Sequence, residues 1–66
     1  MAQQQRNDYR NDYYARAAGG ETWHIYGPRG FLGAVEVPGD DLDDVLAAAQ
    51  ERGLVPAAVT VLEERI

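Results

Sequence analysis

Two alternating runs joined by Gly27-Pro28-Arg29-Gly30 constrain this chain more than any other feature. From Glu21 to Tyr26, Trp23 and Ile25 fall on one side and Thr22, His24 and Tyr26 on the other, the period of two that a half-buried strand requires. From Phe31 to Val37 the same period sets Phe31, Val35 and Val37 against Leu32, Ala34 and Glu36. Proline suits the φ near −65° of a type I turn and Gly30 the positive φ of a following bulge residue, so the connection predicts a hairpin with a three-residue Pro28-Arg29-Gly30 loop. In that register Trp23 faces Val35 and Ile25 faces Gly33. The large apolar side chains then share one face, and a slip of one residue would divide them.

After Pro38-Gly39, the apolar residues Leu42, Val45, Leu46 and Ala49 recur at i, i+3, i+4 and i+7, the stripe of an amphipathic helix. Asp40 or Asp41 can cap its first amide protons, Asp43 and Asp44 suit the positive end of its dipole, and Gly53 with Pro56 beyond it marks the end. Residues 57–62, Ala-Ala-Val-Thr-Val-Leu, are β-branched and alternating and predict a third strand with Val59 and Val61 inward. The expectation is an α+β domain, β-β-α-β, over residues 21–66. A right-handed crossover lays the third strand parallel to the second and beside the first, giving order 2-1-3 with the helix on one face. The expected core is Trp23, Ile25, Phe31, Val35, Val37, Leu42, Val45, Leu46, Ala49, Val59 and Val61. This order is similar to the latter part of a ferredoxin-like unit, a likeness of fold that implies no activity.

Residues 1–20 read as a separate polar arm, divided from the body by Gly19-Gly20. It repeats Arg-Asn-Asp-Tyr at Arg6–Tyr9 and Arg10–Tyr13, which in a helix would align Tyr9, Tyr13 and Ala17. Asn and Asp resist helix formation, so the arm is expected to be helical where it docks and disordered otherwise. It carries three arginines against two aspartates, whereas the body carries three arginines against nine acids, so the acidity of the chain belongs to the body.

Sixty-six residues make one small domain, and about 60% of the unfolded surface is buried at this size, which leaves stability marginal. With no cysteine and one histidine, neither a disulfide nor a Cys/His zinc site can brace it. Serine and lysine are also absent, which removes serine, cysteine and Schiff-base nucleophiles. All six basic residues are arginine, a codon bias expected of a high-GC bacterium or its phage. Polar opening residues and the lack of a long apolar run lead to a cytoplasmic expectation, with no membrane span.

His24 could anchor only a minimal acid/base site, the alternative enzyme reading, and the expectation is that the chain is not an enzyme. The acids Asp40, Asp41, Asp43 and Asp44 lack the spacing of a calcium loop and are explained by capping, so no metal or cofactor is expected. Gly27 to Gly30 joins two strands and opens no helix, so it is turn chemistry and not a phosphate loop. The tyrosines and arginines of the arm could stack on bases, but the acidic body argues against nucleic acid. The outer sheet face is too apolar to be left to water, with Tyr26, Leu32, Ala34, Ala58 and Leu62 on it. The expected task is therefore protein binding, to a partner or to itself as a homodimer, through Tyr9, Tyr13, Tyr14, Tyr26, Leu32, His24 and Arg29. An alternative is an acidic inhibitor imitating nucleic acid, of phage or mobile-element origin.

Overall fold

A computed structural model describes residues 12–65. The chain forms β1 (Tyr14–Ala17), β2 (Thr22–Gly27), β3 (Gly30–Glu36), α1 (Leu42–Glu51) and β4 (Glu63–Glu64). These make a small α+β unit with one helix and a four-stranded mixed sheet in the order β3-β2-β1-β4. The class matches the sequence, but the strand count and the order 2-1-3 do not. Tyr14–Ala17, read as part of a helical or disordered arm, is instead a central strand antiparallel to β2, with Ala15 opposite Ile25 and Ala17 opposite Trp23. Gly19 and Gly20, both at positive φ, close the tight β1–β2 turn, where the Thr22 N–H donates to the Gly19 carbonyl at 3.0 Å. They serve as a hairpin turn where the sequence suggested a linker.

The β2–β3 hairpin keeps the expected register as far as Ile25, with Trp23 opposite Val35 and Ile25 opposite Gly33. It then shifts. Tyr26 pairs with Phe31 and Gly27 with Gly30, so the turn has only Pro28 and Arg29 between paired residues, and the extra residue is a bulge at Leu32. An inserted residue reverses which way the following side chains point. Phe31, expected in the core, therefore lies on the outer face and is 58% exposed. Leu32, expected outside, reaches the inner side, where its Cδ1 would stand 3.0 Å from a Cβ on buried Gly27.

The helix forms where its stripe demands. Asp41 is the N-cap, its Oδ1 accepting from the Asp43 N–H at 2.9 Å. At the other end Gly53, at φ +76°, donates to the Gln50 carbonyl and Leu54 to the Ala49 carbonyl, the paired reverse bonds of a Schellman motif. That stop drops Leu54 onto the inner face at Gly33, where a Cβ would meet it at 3.1 Å. A strand glycine here makes room for a side chain arriving from the helix end.

Residues 57–62 form no strand. Gln50 Nε2 donates to the carbonyls of Pro56 at 3.0 Å and Val59 at 2.8 Å, which holds the segment as a return loop beside the helix. From Val55 onward the inward residues are Val55, Val59 and Leu62, spaced by four and three positions, while Val61 is 46% exposed and Ala58 sits in an exposed turn. Val61 leaves the expected core and Leu62 leaves the expected outer face. The chain pairs again only at β4, parallel to β1, and the Arg65 N–H extends the ladder to the Ala15 carbonyl at 2.9 Å. The closing strand runs parallel to β3, the direction expected, but lies one place further out because β1 occupies the position beside β2. The buried set is Ala15, Trp23, Ile25, Val35, Val37, Val45, Leu46, Ala49, Val55, Val59 and Leu62, with Tyr13, Leu42 and Leu54 packed against it.

Candidate functional site

Among the described residues, the helix and the return loop lie on the inner side of the sheet and leave its outer face uncovered. Alternation along β1 turns Ala15 inward and Tyr14 and Arg16 outward, and along β2 it turns Trp23 and Ile25 inward and His24 and Tyr26 outward. Register then aligns the outward residues across the strands. Tyr14 and Tyr26 stack with ring centroids 5.0 Å apart and planes 5° from parallel. Phe31 meets Tyr26 edge-on at 5.6 Å and His24 edge-on at 5.2 Å. The Arg65 guanidinium carbon lies 4.2 Å from the Tyr14 ring centroid, and its Nη2 is 3.4 Å from Glu63 Oε1. One row thus crosses the whole sheet: Phe31, Tyr26, Tyr14, Arg65.

The structure brings three of the sequence-derived site residues together, Tyr14, Tyr26 and His24. Tyr13, Leu32 and Arg29 fall elsewhere: with Pro28 and Leu54 they line an open groove of about 340 Å³ at the hairpin end. Tyr13 packs against the core there, which follows from its alternation with Tyr14. Tyr9 lies outside the described residues. Phe31 and Arg65 were missed. A glycine inside a strand is a sign of a bulge, so Gly33 was the available hint that the alternation through Phe31 breaks.

His24 sits opposite Arg16 on β1 and Ala34 on β3, so its strand neighbours offer a cation and a methyl group where an acid/base pair needs a carboxylate. Among the described residues no group of three His, Asp or Glu side chains could hold a metal ion. The described carboxylates are spread over several elements: Asp12 and Glu21 precede β1 and β2, Glu36 ends β3, Asp40 and Asp41 lead into α1, Asp43, Asp44 and Glu51 are on it, and Glu63 and Glu64 are on β4 at the opposite edge of the sheet from β3. Among the described residues no helix is long and apolar enough to cross a membrane.

No family model matches the chain, and no curated protein or solved structure matches it either.

Proposed function

We propose that this chain is a non-catalytic protein-protein interaction module, a small cytoplasmic accessory or regulatory protein of a high-GC bacterium or its phage, which binds through the outer sheet face. The observation that carries this reading is Phe31, more than half exposed at the end of a row with Tyr26 and Tyr14. A large aromatic ring left in water at the end of an ordered row offers apolar area that is already rigid, which lowers the entropy cost of binding. Aromatic residues and arginine are also the types enriched where protein partners bury most free energy. The body's acidity supports a protein partner over nucleic acid, since a phosphate backbone would be repelled. The spread of the carboxylates over several elements supports this reading over a nucleic-acid mimic, which needs a continuous array.

The test is affinity capture from the source cell with the full chain and with Tyr26→Ser/Phe31→Ser, followed by titration of the captured protein into isotope-labelled chain. The expected result is amide shifts centred on Tyr14, Tyr26 and Phe31 and loss of capture by the double variant. Shifts confined to α1, or tight binding to single-stranded oligonucleotides in place of a protein, would overturn the proposal.

A further inference from the structure

The two edges of the sheet are unlike. At one end β4 pairs over two residues and carries Glu63, Glu64 and Arg65, charges of the kind that deter further pairing. At the other end β3 runs for seven residues with Glu36 as its one charged side chain, no lysine, and no proline before Pro38. Among the described residues, the Glu36 charge is the one feature of this kind on β3 between the bulge at Leu32 and that proline.

The hydrogen-bond directions of this edge follow from one contact. The Val37 N–H donates to the Glu21 carbonyl at 2.8 Å, so Val37 turns its polar backbone toward β2. In an antiparallel ladder that direction alternates, so Val35 and Gly33 also face β2, while Ala34 and Glu36 direct N–H and C=O away from the sheet. Gly33 to Val37 is therefore a regular stretch with two residues ready to pair outward.

We propose that this edge pairs with the same edge of a second copy, antiparallel about a two-fold axis at Val35. Ala34 of each copy then stands opposite Glu36 of the other. Both outward-directed residues are satisfied in both copies, as two closely spaced hydrogen-bonded pairs flanking the Val35 positions, and the bulged Leu32 takes no part. Self-complementarity is the reason for a second copy over an unrelated strand. The partners of Ala34 and Glu36 are supplied by the same five residues, and the small Ala34 side chain faces the long Glu36 on the outer face. A two-fold contact of this kind closes on itself and does not propagate. The product is a continuous eight-stranded sheet with two aromatic rows on one side. A short chain without cysteine gains the most from such association. Each copy carries a net charge of −5, so added salt strengthens the pairing by screening repulsion. The inference does not rest on the proposed function, because the edge and the outer face are different surfaces.

The experiment uses the full chain, in sedimentation equilibrium from about 1 to about 500 µM, with amide exchange measured by NMR at both ends of that range. The expected result is a monomer–dimer equilibrium in which the Ala34 and Glu36 amides slow at least about tenfold at high concentration while Leu32 does not change. Ala34→Pro deletes an edge donor and leaves the β2 ladder intact, so it should stay monomeric with an unchanged circular dichroism spectrum. If that variant does not fold, exchange in the unaltered chain decides alone. A monomer throughout the range, or a dimer whose Ala34 and Glu36 amides exchange equally fast at both concentrations, would overturn the proposal.

Discussion

Tyr14 and Tyr26 are directly opposed on β1 and β2, and their rings lie 5.0 Å apart and within 5° of parallel. Cross-strand neighbours on one face are the side-chain unit that holds a sheet together, and here that unit links the short β1 to the hairpin. An aromatic pair of this kind contributes about 0.5–1.5 kcal/mol beyond its buried area. A double-mutant cycle on Tyr14→Ala and Tyr26→Ala, read by urea denaturation, should return a coupling energy in that range. A coupling near zero would mean the rings act independently.

The return loop makes opposite demands on two adjacent residues. Leu62 is 4% exposed and Val61 46%. Leu62→Ala should cost about 2–5 kcal/mol as a core truncation, and Val61→Ala about 0.5 kcal/mol or less. A regular strand over these residues with Val61 inward would reverse the order, so denaturation midpoints of the two variants separate the arrangements.

Gln50 binds the same loop from the helix side, one amide nitrogen reaching two carbonyls. Gln50→Ala leaves both to find water, one of them part-buried at Val59, and should cost about 1–2 kcal/mol. Gln50→Glu, which keeps the shape and loses the donors, should cost at least as much. Thermal melts of the two variants check this.

The helix ends are set by Asp41 and Gly53. Asp41→Ala removes the acceptor for the Asp43 N–H and should lower stability by about 1 kcal/mol. Gly53→Ala forces a side chain into φ +76° and should lower it by about 1–2 kcal/mol. Gly53→Asn should recover part of the loss, since Asn tolerates that region better.

These elements differ in how far they could be read in advance, for physical reasons. The helix was legible because cap, stripe and stop each leave a residue-type signature, at Asp41, at Leu42 to Ala49 and at Gly53. The hairpin register was legible as far as Ile25 because hydrophobic alternation and turn chemistry agree. β1 was not, because only Ala15 of its four residues is buried, and the preceding repeat has a period close to a helical turn. The loop over 57–62 was misread because β-branched residues favour strands locally, whereas tertiary hydrogen bonds from Gln50 decide its path. Its inward residues, Val59 and Leu62, are three apart and do not keep the period of two. Of the outer face, Tyr14, Tyr26 and His24 could be placed by alternation. Phe31 could not, since a single bulged residue reverses the assignment without changing composition.

The outward turn of Phe31 is what completes the open aromatic row, and the stability of Phe31→Ser in urea tests it most directly. With the ring edge-on to Tyr26 and His24 but mostly in water, the loss should be about 1 kcal/mol. A loss of about 3–5 kcal/mol, that of an aromatic removed from a core, would place Phe31 on the inner face with Val35 and contradict the account.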